Sequence, residues 1–258
     1  MAARRLWSRE EFILTLNLYL KLTFGQMNQS NPKVKNLAEL LGRTSGSIAM
    51  RLVNFAACDP ILQARGILGL QAGKSQCQPY WDEYMQDREK FVFESEKLLA
   101  SYQQTSVELN HQTILQGIET LVGEDKVREV KTRVNQDVFR QMVLANYNGL
   151  CAVSGVNISE LLVASHIIPW AENKKERLNP ENGICLSSLY DRAFDQGFIS
   201  FDNEYKMIIS PRLEANADKM YYQMFFHPFE HEKMKFCDVN YLPKKEFLEW
   251  HRDVIFQK

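Results

Sequence analysis

Near the start of the chain, apolar residues recur at helical spacing. Phe12, Ile13, Leu16, Tyr19 and Leu20 lie three or four apart, the stripe of an amphipathic helix. Ser8 with Glu11 predicts a capping box at its start. Asn31-Pro32 opens a second helix with Val34, Leu37, Ala38 and Leu41 on one face and Gly42 as its stop. Thr44 caps a third, in which Ile48, Leu52 and Phe55 point inward. The corner between the second and third helices is short, so they cross sharply, as in a helix-turn-helix. The outer face of the third helix then shows Ser47, Met50, Arg51 and Asn54. Ser, Arg and Asn bond phosphates and base edges.

Residues 59–80 are rich in Gly and Gln, with Pro60 and Pro79, which predicts a connector. Residues 81–104 predict one long helix marked by Trp81, Tyr84, Phe91 and Leu98, its acidic surface toward solvent. A further helix is expected over 114–121. Residues 127–146 carry Val130, Val134, Val138, Met142 and Ala145 at helical spacing, with Phe139 and Tyr147 adding aromatic packing. Residues 151–153 read as a short strand and 161–167 as its hairpin partner. After a turn at Asn179-Pro180-Glu181-Asn182-Gly183, residues 184–194 form an amphipathic segment. Residues 198–202 and 205–210 alternate as a strand pair around Asn203-Glu204. A last helix over 243–256 puts Phe247, Trp250 and Val254 inward, with His251 packed among aromatics. The expected organisation is α+β in three segments: 1–58 an all-α bundle, 59–126 a helical connector, 127–258 a mixed domain.

Composition adds little until it is resolved by region. With 258 residues and 45% hydrophobic content, the chain can bury real cores, most simply in two domains. Net charge is −1, so global charge does not announce a nucleic-acid binder. Residues 1–80, however, hold 10 Lys/Arg against 4 Asp/Glu, and 81–130 hold 5 against 11. That asymmetry points to an anion-binding face near the N-terminus; solvated helix faces are the plainer reading. Cys58, Cys77, Cys151, Cys185 and Cys237 are scattered and odd in number, which predicts no disulfide framework and a reducing cytoplasm. Arg4 and Arg5 are followed by Arg9, Glu10 and Glu11, so no secretory signal is expected. No run approaches a membrane span.

Candidate chemistry concentrates in 161–202. An apolar run, Leu161-Leu162-Val163-Ala164, delivers His166, and Pro169-Trp170 ends the extended segment. Asn182 sits in the turn, and Asp191 and Asp195 lie four apart on the segment that follows. One His on a strand, one Asn in a turn and carboxylates on a helix suit metal-assisted hydrolysis. The His acts as general base, and a carboxylate holds a divalent cation on the leaving oxygen.

The stretch resembles the HNH endonucleases, whose active site is a ββα-metal unit. Three pieces carry the resemblance: Ser165-His166-Ile167-Ile168-Pro169-Trp170, Arg177-Leu178-Asn179-Pro180-Glu181-Asn182-Gly183, and Asp191-Arg192-Ala193-Phe194-Asp195-Gln196-Gly197. They stand in the order and spacing of the variant subgroup S-H-x-x-P-W, R-L-x-P-x-N-G, D-x-x-F-D-x-G. The resemblance implies His166 as the base, Asn182 as the residue bracing the loop, and Asp191 as a metal ligand, with Asp195 close enough to join it. It also implies Mg²⁺ or Mn²⁺, double-stranded DNA as substrate, and a homodimer, since a one-metal unit cuts two strands in pairs. Bacterial restriction or anti-phage defence is the setting it suggests. Arg177 and Arg192 are candidate phosphate clamps. The N-terminal helices resemble, more loosely, tri-helical DNA-binding domains of the Myb-like type, which implies DNA contacts by Ser47, Arg51 and Asn54.

This sequence departs from the family in two places. Ser165 stands where many relatives have an Asp ligand. Where many carry two CxxC pairs for zinc, this chain has Cys151-Ala152-Val153-Ser154 and Ser187-Ser188-Leu189-Tyr190; one thiol of four makes no tetrahedral thiolate site, so no structural zinc is expected. Alternatives stay open at this level. Asp191 is a ligand or a helix N-cap, Asp195 a ligand or an Arg partner, and Asn182 a brace or only a turn residue. The bundle serves DNA or packing. The rival functions are a DNA-binding regulator with a decayed nuclease unit and an RNA-directed nuclease.

Overall fold

Local caps decide where the first helices begin. Helix α1 (Arg9–Tyr19) starts at Ser8, whose side chain accepts from Glu11 N, while Glu11 returns a bond to the Ser8 amide at 2.9 Å. Helix α2 (Pro32–Leu40) is capped by Asn31 and stops before Gly42, which takes φ +59°, a left-handed conformation that suits glycine. Thr44 caps α3 (Ser45–Ala56). Val34, Leu37, Ala38, Leu41, Ile48, Leu52 and Phe55 are all buried, the faces the spacing predicts. The computed structural model describes residues 5–117, 120–236 and 240–257, and the chain divides into two compact units, Met1–Val138 and Phe139–Lys258.

The rest of the first unit departs from the sequence reading. Residues 59–80 are not simply a connector: α4 (Pro60–Ala64) is capped by Asp59, and α5 (Lys74–Gln86) carries Pro79 within it. The expected long helix over 81–104 is two helices. Asp87 adopts an extended backbone (φ −149°, ψ 86°), and its carboxylate caps α6 (Arg88–Tyr102) by accepting from Lys90 N at 2.9 Å. A short polar side chain that can bond a free amide ends one helix and starts the next. Both helices pack on α1: from α5, Tyr80 stacks on Phe12 at 4.6 Å and Trp81 meets Tyr19 edge-on, and from α6, Ser95 and Glu96 accept from Asn17 Nδ2. A short helix α7 (Val107–Asn110) follows. The expected helix over 114–121 is not formed at 114–117 or 120–121, which are turns and irregular chain; residues 118–119 lie outside the described residues.

Nor does the acidic face of α6 look wholly to solvent. Glu96 is buried, with Lys21, Asn17 and His111 around it, and His111 also bonds Asp137 at 3.0 Å. Burial alone would raise the Glu96 carboxyl, but the Lys21 ammonium and the bonds from His111, Lys21 and Asn17 hold it down at about 2. Burial likewise opposes the charged imidazole of His111, yet Asp137 and Glu96 lift it to about 9.

The second unit is built on a split hairpin. Strand β1 (Leu162–His166) pairs antiparallel with β2 (Gly183–Ser187), with His166 opposite Gly183 and Ser165 opposite Ile184. This corrects two expectations: residues 151–153 form no strand, and the partner of β1 lies after the turn. The run Ile184-Cys185-Leu186 is buried on both faces, and a short continuous apolar run has no period to separate strand from helix. Helix α8 (Gly123–Asn146) contains the expected helix, and its last part packs on the hairpin. Helix α9 (Ser188–Asp195) follows β2 directly. Strands β3 (Ile199–Phe201) and β4 (Met207–Ile209) form the expected second pair. Helices α10 (Pro211–Glu214) and α11 (Met220–Phe225) were not anticipated. Helix α12 (Lys245–Val254) buries Phe247, Leu248 and His251, whereas Val254 is exposed rather than inward. His251 is packing: its ring stacks on Phe194 at 3.7 Å and bonds Ser200 and the Phe194 carbonyl. Cys58, Cys77, Cys151 and Cys185 are free and buried; Cys237 lies outside the described residues. Among the described residues, no helix is long and apolar enough to cross a membrane.

Candidate active site

His166 ends β1, and three neighbours fix its ring. Phe139 of α8 stacks on it at 3.8 Å with the planes 13° apart, Trp170 meets it edge-on at 5.5 Å, and Nε2 lies 3.0 Å from the Arg177 carbonyl oxygen. A carbonyl only accepts, so Nε2 carries the proton and donates, leaving Nδ1 with its lone pair. Burial, set against the Arg177 carbonyl bond and joined by the Arg177 charge, lowers this imidazole to about 4. At neutral pH it is therefore an uncharged base with one ring nitrogen pinned.

Asn182 explains how the carbonyl of Arg177 comes to be there. Its side chain is buried and makes three bonds: Oδ1 accepts from Ile168 N at 2.8 Å, and Nδ2 donates to Ile168 O at 3.0 Å and Glu176 O at 3.2 Å. The two ends of the loop between β1 and β2 are thus tied by one amide. Arg177 donates from Nε to Trp170 O at 2.7 Å and lies over the Trp170 ring at 5.0 Å. Its side chain positions Trp170 while its carbonyl positions His166.

The carboxylates lie on α9. The helix N-cap is Ser187, so Asp191 is not capping α9. Burial raises the Asp191 carboxyl, with Ser165 and Arg192 pulling the other way. Asp195 is an exposed residue, so its loss of solvent is partial; together with the Asp191 charge it pushes the carboxyl up to about 6 against Arg192. Arg192 itself is exposed. Ser165 is only 2% exposed, and its Oγ, which faces Asp191, has no hydrogen-bond partner of full geometry. A buried hydroxyl turned toward Asp191, beside two carboxyls raised above their ordinary values, is an oxygen-rich place short of positive charge. Those donors fit a hard cation that keeps several waters, as Mg²⁺ does. Among the described residues, no three His, Cys, Asp or Glu side chains form a ready-made metal cluster.

At the two positions compared with CxxC pairs, hydrogen bonds hold the chain. Cys151 Sγ accepts from the amides of Ser154 at 3.4 Å and Ser187 at 3.1 Å, and Tyr190 donates to the Phe225 carbonyl at 2.7 Å.

Residues 151–202 match the family model for HNH endonucleases. That segment, about a fifth of the chain, contains β1, β2, α9 and β3, and with them His166, Asn182, Asp191 and Asp195. The HNH match supports a nuclease, a hydrolase of phosphodiester bonds, and implies a nucleic-acid substrate and a divalent metal ion. No curated protein matches the chain.

Sequence reasoning missed three contributors: Phe139 as the ring that stacks on His166, the backbone carbonyl of Arg177, and Gly183 as the point of close approach. A Cβ at Gly183 would lie 2.4 Å from Val143 Cγ2 and 2.9 Å from Phe139 Cζ. The Pro-Trp step signalled Trp170; nothing local signals a stacking partner 27 residues upstream of His166.

In the first unit, the placement of Arg51 and Asn54 corrects the expected outward face. Arg51 is 7% and Asn54 6% exposed, while Ser47 is half-buried and Met50 exposed. The segment before α1 and the start of α5 cover this face. Arg51 Nη1 donates to Gln76 at 3.0 Å, its guanidinium lies 4.6 Å from the Trp7 and Phe12 rings, and Asn54 Nδ2 donates to Leu70 O at 2.8 Å. The helical period identified a face free of α1 and α2; it carried no information about what folds back over it.

Proposed function

We propose that the chain is a metal-dependent DNA endonuclease with His166 as general base. The observation that carries this is the His166 imidazole, uncharged, with Nε2 donating to the Arg177 carbonyl and Nδ1 making no hydrogen bond among the described residues. Nδ1 takes a proton from water, the oxygen attacks phosphorus, and the 3′-oxygen leaves. Asn182 and Arg177 keep the base in place. Asp191, with Asp195 and the Ser165 hydroxyl, would hold Mg²⁺ or Mn²⁺, which when bound neutralises charge on the phosphoryl oxygens. Arg192, being exposed, is available to a phosphate; Arg177 is better read as a positioning residue. We place the activity on double-stranded DNA, by a homodimer, in cytoplasmic restriction or anti-phage defence. DNA positioning by α2 and α3 in helix-turn-helix fashion belongs to the same reading.

A plasmid-nicking assay with Mg²⁺, Mn²⁺ or EDTA tests it, run with wild type and His166→Ala. Metal-dependent nicking by wild type alone is expected. No nicking under any metal favours the second reading, a DNA-binding regulator with a decayed nuclease unit, for which Ser165 in place of an Asp is the supporting observation. Parallel RNA digestion separates an RNA-directed nuclease.

A further inference from the structure

The first unit holds a cavity of about 230 Å³ bounded by Arg5, Trp7, Arg43, Ser47, Arg51 and Asn54, with Met50 at its edge. Three arginines line one small space. Arg5 and Arg43 share a single carboxylate, Glu11, at 2.6 and 2.7 Å, and Glu11 is not part of the lining. Arg51 forms no ion pair among the described residues. It is more than nine-tenths buried, and its Nε has no hydrogen-bond partner. The Trp7 ring lies under both Arg43, at 4.2 Å, and Arg51, at 4.6 Å. Cation–π contacts steady a guanidinium but do not neutralise it. A buried cation with a free donor and no counter-charge is costly unless something supplies the charge. Net charge at the cavity is two positive, from three Arg and the one Glu that Arg5 and Arg43 share. Ser47 lines the same space.

We propose that this cavity is a binding site for a phosphate group. Guanidinium forks match phosphate oxygens in geometry and charge, and a space of this size admits one phosphoryl group with part of its ester. The face of α3 that periodicity offered to a DNA groove thereby becomes one wall of an anion pocket. Its phosphate comes either from a nucleic-acid backbone or end, or from a free nucleotide. The inference uses none of the nuclease residues.

The test is calorimetric titration of the full chain in EDTA at fixed ionic strength, so that no metal site takes part. Inorganic phosphate, thymidine monophosphate and a short DNA duplex are the three probes. One saturable site per chain for inorganic phosphate is expected. Ser47→Asp puts a negative charge at the half-buried rim without touching the rings around Arg51, and it should weaken that binding about ten-fold or more while leaving the melting temperature near wild type. Arg51→Met should abolish binding, with a melt run alongside to show that it folds; if it does not fold, Ser47→Asp decides. Thymidine monophosphate competing where duplex does not assigns a nucleotide; duplex competing assigns nucleic acid. Heat without saturation for inorganic phosphate, or wild-type binding by Ser47→Asp, overturns the proposal. Because binding and not cleavage is read, an inactive nuclease leaves this result untouched.

Discussion

Two polar clusters, one in each unit, solve burial in opposite ways. Around Glu96 the charges are matched: Lys21, His111 and Asn17 surround it, Asp137 bonds the far side of His111, and Glu96 and His111 are both driven toward their ionised forms. Around His166 and Asp191 the opposite holds. The imidazole is driven toward its neutral form, both carboxyls are raised, and the Ser165 hydroxyl, turned toward Asp191, makes no hydrogen bond of full geometry among the described residues. A saturated network stabilises a fold. A cluster left short of partners, with its groups displaced from their ordinary titration, marks a place where something else completes it.

The largest effect that would break this contrast is at His166. Replacing the base with Ala should slow nicking by roughly 10²–10⁴-fold, with metal dependence of the residue unchanged. Wild-type rates in a single-turnover assay would remove the base from His166. Next comes the matched cluster. Glu96→Ala leaves Lys21 buried and unpaired and should cost about 3–5 kcal/mol in urea unfolding; a loss under about 1 kcal/mol would mean the network is solvated and the contrast false.

Acidity sharpens the comparison further. The folded His111 value, about 9, lies above its ordinary 6.5. Its contribution is therefore full below that ordinary value and lost as pH rises through 9. The folded Glu96 value, about 2, lies below its ordinary 4.5, so its contribution is full above 4.5 and lost as pH falls toward 2. Melting of the first unit should be highest between about pH 4.5 and 6.5. The drop from there to about pH 9.5 should shrink in His111→Gln; an equal drop in both proteins would assign it elsewhere. The smallest effect belongs to the unmatched cluster. Ser165→Ala removes a hydroxyl that makes no hydrogen bond of full geometry, so stability should change by no more than about 1 kcal/mol. More Mn²⁺ should be needed for half-maximal cutting. A large destabilisation would reveal a hydrogen bond at Ser165 that the geometry lacks.

What the sequence conveyed was what neighbours along the chain decide. Ser8 with Glu11, Asn31-Pro32, Thr44 and Gly42 set helix ends through contacts within a few residues, and these were legible. So was the apolar face of α3, and so were the positions of His166, Asn182 and Asp191 in one segment. Features set by distant partners were hidden. Arg51 looked free because Trp7, from the segment before α1, and Gln76, from α5, meet it only in the folded chain. Strand β2 was hidden by its own uniform burial, which erased the alternation that marks a strand. The break at Asp87 was masked by apolar markers that continue on both sides of it. In the site, residue types were readable and their tethers were not: the Arg177 carbonyl and the Phe139 ring act through backbone and stacking.

Gly183 shows how far a site can extend beyond its chemistry. It touches no reacting atom and contributes no side chain, yet any carbon added there collides with Val143 and Phe139, and Phe139 is the surface against which the His166 ring lies flat. In a catalogue of tolerated substitutions this position would be as closed as the base itself, for a steric reason. A designer transplanting the hairpin and α9 into another scaffold would need to carry α8 along, because the empty space at Gly183 is half of a fit whose other half is a helix nearly forty residues earlier in the chain.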